Sequence, residues 1–195
     1  ILRSDIYSGP QPAFLVVHVR GKVILVEDIS TKINQGGIID STSFPEGIAH
    51  FILIDKNMVP LSERLAFVRK PSLKASITNL KPIFKPRDPI SLEINVRDEN
   101  EMPVKGNFSL SITDGYSIVY DTLGENCRSY MLLSSDLRGY IENPGYYFNS
   151  PNAQTDASLD ILLLTQGWRR FNVDSVLKKK KFHYNFPIEN AQYIT

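Results

Sequence analysis

A chain of 195 residues with a formal net charge of +1 and 42% hydrophobic residues has room for one large domain or two of about 70–120 residues. Its apolar content excludes wholesale disorder, and its balanced charge excludes the concentrated basic surface that nucleic acid requires. No apolar run approaches the roughly 20 residues of a membrane-crossing helix; Leu159 to Leu164 is interrupted by Asp160.

Ala13 to Val19 is apolar and rich in β-branched valines, and Val23 to Val26 follows after Arg20-Gly21-Lys22. This spacing predicts a tight hairpin in which Gly21 supplies an unusual φ. Gly36-Gly37 opens a further expected strand, Ile38 to Thr42, and Pro45-Glu46-Gly47 a turn into Ile48 to Ile54. Asp55-Lys56-Asn57-Met58-Val59-Pro60 then turns the chain into Leu65 to Val68. About five strands are thus expected before residue 70, with no helical period among them, and a Greek-key sandwich accommodates strands of this spacing.

Arg69-Lys70-Pro71 reads as a linker, because Pro71 cannot donate to a ladder and its charged neighbours prefer water. A strand is expected at Lys74 to Leu80. After a proline-punctuated loop the earlier phrase returns as Asp98-Glu99-Asn100-Glu101-Met102-Pro103. Leu92 to Val96 leads into it and Phe108 to Ile112 leads out, both alternating, so a second hairpin of the same kind is predicted. A short strand at Ser117 to Tyr120 completes the series. The chain therefore reads as mainly β, with two β-sandwich domains in tandem, residues 1–70 and 71–195.

The pattern changes after Gly124. Asn126 is expected to cap a helix that presents Met131, Leu132 and Leu133 and ends near Gly139. Asn143-Pro144-Gly145 is a turn before the aromatic run Tyr146-Tyr147-Phe148. Asp156 is expected to cap a second helix, Ala157 to Gln166, stopped by Gly167. Residues 125–171 thus read as a helical insertion packed on the second sandwich, with Trp168 buried there. Lys178 to Lys181 precede a possible last strand, Phe182 to Phe186, and fit an edge that discourages pairing.

Residues able to do chemistry are few and scattered. His18, His50 and His183 have no partner at metal-ligand spacing, and locally paired strand histidines are the expectation for the first two. Cys127 excludes an intrachain disulfide and a cysteine zinc cage; a half-buried structural thiol is expected. No G-x-S-x-G elbow, P-loop or G-x-G-x-x-G is present, so neither a catalytic residue nor a cofactor or metal is assigned. Asp98, Glu99 and Glu101 read as a solvated turn, too short for a calcium loop of the EF-hand type. Tyr140, Tyr146, Tyr147 and Phe148 are the candidate interaction surface, either a sugar-stacking platform or a satellite core beside leucine-rich helices.

Two stretches carry a resemblance. Phe44-Pro45-Glu46-Gly47-Ile48, Asp55 and Pro60-Leu61-Ser62-Glu63-Arg64-Leu65-Ala66-Phe67 resemble the end of a macroglobulin domain in bacterial α2-macroglobulin-like proteins, with Met58 where the turn glycine usually stands. Leu132 to Pro144 and Leu162 to Phe171 are similar to segments of large Bacteroidota envelope proteins. In those proteins macroglobulin-like domains precede a sandwich and a plug-like domain related to TonB-dependent receptors. The resemblance implies immunoglobulin-like, macroglobulin-type sandwiches, an extracytoplasmic location in the periplasm or at the outer membrane, and a non-catalytic structural or interaction role. The implied partners are other domains of the same parent chain, an envelope protein or a glycan. Both ends, Ile1 and Tyr193-Ile194-Thr195, are expected to be cuts inside that longer chain. Cys127 is followed by Arg128-Ser129-Tyr130, not by the Glu-Gln of a thioester, so covalent protease trapping does not carry over. The competing readings are a carbohydrate- or peptide-binding module for nutrient acquisition and a hydrolase whose site is unidentified.

Overall fold

A computed structural model describes residues 11–31, 37–79, 81, 83–113, 118–119, 121–166 and 173–177. Trp168, His183, the four lysines and the strand expected at Phe182 to Phe186 lie outside the described residues. The described chain is mainly β, with one four-stranded and one two-stranded antiparallel sheet and a few helices. It divides into two compact units, one holding residues up to Val68 and those from Leu123 on, the other Arg69–Thr122.

In the first unit β1 (Pro12–Val19), β2 (Lys22–Asp28), β3 (Gly47–Asp55) and β4 (Pro60–Val68) pair in the order β2-β1-β3-β4. The β1–β2 hairpin is tight, as its sequence requires. Val19 pairs with Lys22, and both Arg20 (φ 50°) and Gly21 (φ 81°) occupy the left-handed region. Two such residues in succession match the right-handed twist of the flanking strands. The expected strand Ile38 to Thr42 does not form. Asp40 instead takes the backbone N–H and the hydroxyl of Thr42, at 2.9 and 2.7 Å, and this local closure competes with a ladder.

Alternation gives the sheet two apolar faces. Val17, Val19, Ala49 and Val68 are buried with Phe44 on one. Ile48 and Leu65 are buried on the other with Leu133, Leu137, Ile141, Phe148, Leu159 and Leu163. These six come from the segment after residue 123, built from α1 (Cys127–Leu132), a 3₁₀ turn (Ser134–Asp136), α2 (Tyr146–Asn149) and α3 (Ala153–Thr165). A further short helix, α4, spans Val173–Leu177. The helical segment was expected on the second sandwich; its leucines lie on the first sheet, because Ile48, Leu65 and Phe67 offer an apolar stripe there.

Asn126 caps α1 as expected, and its carboxamide accepts from Ser129 N–H at 3.0 Å. The helix ends at Leu132, short of the expected Gly139. The start of α3 differs from expectation. Asn152, not Asp156, is the N-cap, and its Oδ1 accepts from Gln154 and Thr155 N–H while Thr155 Oγ1 accepts from Asn152 N–H. That reciprocal pair satisfies orphan donors at both ends of the box, so the helix gains a turn ahead of Asp156.

In the second unit β5 (Lys74–Thr78) and β6 (Glu93–Arg97) form a two-stranded ladder. The expected strands at Phe108 to Ile112 and around Ile118 are not formed by the described residues. The second hairpin returns only as far as the Arg97–Pro103 bridge and the Val104 N–H to Val96 carbonyl bond. Beyond it Phe108 folds its ring back over Gly106, 3.3 Å from where a Cβ would stand.

Candidate functional site

The twice-used turn has one geometry in two places. Asp55 Oδ1 accepts from Asn57 and Val59 N–H, both at 2.8 Å, and Met58 sits at φ 63°. Asp98 Oδ1 accepts from Asn100 and Met102 N–H, both at 2.9 Å, and Glu101 sits at φ 60°. In each, the fourth residue donates to the Asp carbonyl and the Asp N–H to the fifth residue's carbonyl, the three-residue hairpin loop with a left-handed third position. The carboxylates here are structural: Asp55 is buried and Asp98 half-buried. Glu101 is ion-paired with Lys74, whose hydrogen bond holds the Glu101 carboxyl below its usual range.

The aromatic candidates are divided by the fold. Phe148 is buried, edge-on to Phe67 at 5.7 Å, and covered by the Arg128 guanidinium at 5.7 Å. It belongs to the core and presents no surface. Tyr147 is half-buried against that core and edge-on to Tyr146 at 5.3 Å. Burial raises the Tyr147 phenol, and Tyr146 and Glu142 add to the shift. Tyr140 is 87% exposed. The surface therefore reduces to Tyr140 and the outer edges of Tyr146 and Tyr147.

Cys127 is exposed, against the expectation of a half-buried thiol. It is the first residue of α1, whose Leu132 packs, partly buried, against the core. Its cationic neighbour Arg128 is engaged with Glu46 at 2.8 Å and with Phe148.

One polar group among the described residues was not assembled from the sequence. His18 of β1 lies directly opposite His50 of β3 on the helix-covered face. Their rings meet edge-on, centroids 4.8 Å apart. His50 is 4% exposed and its Nε2 lies 3.0 Å from Glu63 Oε2 of β4. Opposite His18 the β1–β2 register slips, so Val17 faces Leu25 and His18 faces Val23; such bulges re-aim side chains. Gly21 N–H points at His18 Nδ1 at 3.4 Å. From the same turn Arg20 donates to the Met131 carbonyl at 2.6 Å and pairs with Asp136 at 3.4 Å. Burial lowers the His18 imidazole from its ordinary value, opposed by the charges of Glu63 and Asp136. Among the described residues no three or more His, Cys, Asp or Glu side chains are grouped to hold a metal ion.

No family model matches this chain, and no curated protein or solved structure matches it either. No described helix is long and apolar enough to cross a membrane.

Proposed function

We propose that this chain is a structural and protein-interaction module of a larger bacterial envelope protein, built from macroglobulin-type, immunoglobulin-like β-units and associated with TonB-dependent uptake. The observation that carries the reading is the use made of its polar side chains. Asp55 and Asp98 close the two hairpins. Arg20 fastens the helical segment through Met131 and Asp136, Arg64 grips Asp160 of α3 with 2.8 Å contacts to both oxygens, and Arg128 holds Glu46. Chemistry-bearing groups here serve shape. The location and the partners, chiefly other domains of the parent chain, follow from the resemblance in Phe44 to Val68 and Leu132 to Phe171.

A panel of chromogenic ester, peptide and glycoside substrates tests the non-catalytic role. No turnover above the blank is expected. Turnover abolished by His50→Gln or Glu63→Gln would establish the hydrolase reading instead. The exposed Tyr140 and the half-buried, edge-on pair Tyr146 and Tyr147 favour a second reading, binding of a glycan or an extended peptide. A glycan array in which signal is lost on Tyr140→Ala and Tyr146→Ala decides for it, because stacked rings supply that affinity.

A further inference from the structure

The histidine pair has a consequence beyond packing, because it touches the turn that fastens the helical segment. His18 Nδ1 accepts from Gly21 N–H at 3.4 Å, which requires that nitrogen to carry no proton. The neighbouring residue of the same turn, Arg20, holds the Met131 carbonyl at the end of α1 and Asp136 in the 3₁₀ turn. Arg20 does so from a left-handed backbone with φ 50°, a conformation costly for a side chain of its kind. The guanidinium also passes over Gly47, where an added Cβ would stand 3.3 Å from Arg20 Nη2. The fastening thus depends on one turn held in one conformation.

The charged groups described around the pair are Glu63 of β4, Arg20 of the turn and Asp136 of the 3₁₀ turn, while β2 presents Val23 opposite His18. Among these described groups are two carboxylates and one guanidinium. A proton on His18 adds positive charge to a site where His50 and the Asp136 side chain are nearly enclosed.

We propose that His18 is an acid-sensitive latch: a proton taken at Nδ1 sets N–H against the Gly21 N–H, releases the β1–β2 turn, and loosens the helical segment that Arg20 fastens to the sheet. Burial places the folded His18 below its ordinary value of 6.5, so the folded state binds fewer protons than the unfolded one. The latch is therefore closed above the ordinary value and opens as pH falls through the lowered one.

Amide hydrogen exchange on the full chain, followed from pH about 8 down to about 5 across the histidine range, reads the latch directly. After correction for the intrinsic pH dependence of exchange, amides of Tyr130 to Asp136 are expected to exchange severalfold faster in acid. Those of Ile48 to Ile54 are expected to keep their protection, and His18→Gln is expected to abolish the response. Equal protection of Tyr130 to Asp136 throughout that range, or a response retained in folded His18→Gln, overturns the proposal. Should that variant not fold, the His18 ring resonance of the unmodified chain decides. Its titration midpoint must coincide with the loosening, and a mismatch sinks the latch.

Discussion

Met58 and Glu101 hold side chains in the left-handed region, at φ 63° and 60°, where glycine would sit without strain. Met58→Gly is expected to raise stability by roughly 0.5–1 kcal/mol, the steric cost of that region less the extra chain entropy glycine loses. A shift of the urea midpoint upward with unchanged slope checks it. Asp55→Ala has the opposite sign. It strips the acceptor from two backbone donors beside a 3% exposed residue, and a loss of roughly 2–3 kcal/mol follows. The residues of both turns were legible in the sequence, because Asp, Asn and Pro at these offsets carry their own geometry. The histidine pair was not. His18 and His50 belong to strands that are adjacent in the sheet but separated in sequence by β2 and a long connection, and only the order β2-β1-β3-β4 brings them together.

At the level of elements, α3 is set by its cap and its leucines. Asn152→Ala is expected to cost about 1 kcal/mol by thermal or denaturant melting. Leu159→Ala, at a side chain 2% exposed, is expected to cost roughly 2–5 kcal/mol. The Arg64–Asp160 pair is partly exposed on both sides, so a double-mutant cycle should return no more than about 1 kcal/mol. The sequence carried the signal for the true start of α3, since Asn152 and Thr155 stand at capping-box spacing, but Asp156 offered a rival cap nearer the leucines. Ile38 to Thr42 shows the converse error. Its β-branched residues favour a strand, yet the Asp40 carboxylate satisfies the backbone locally and leaves Ile38 fully exposed.

Across the whole molecule the two units differ in what they bury. Every core cluster among the described residues belongs to the first unit, whereas the β5–β6 ladder leaves Ile77 and Ile94 about half exposed. A two-stranded ladder is marginal without a packed face, so amides of β5 and β6 are expected to exchange orders of magnitude faster than those of β3. Comparable protection in both would contradict this difference. The mainly β character was readable from alternation alone. The docking of the helices was not, because leucine spacing tells which side of a helix is apolar and leaves its partner open. Proximity in sequence pointed to the nearer sheet, and the stripe of Ile48, Leu65 and Phe67 decided otherwise.

That docking also fixes an order of events during synthesis. The first sheet leaves the ribosome with Val68, but the leucines that cover it are translated only after the whole of Arg69–Thr122. For that interval the nascent chain displays a greasy strip, Ile48, Leu65 and Phe67, that its own leucines have yet to cover.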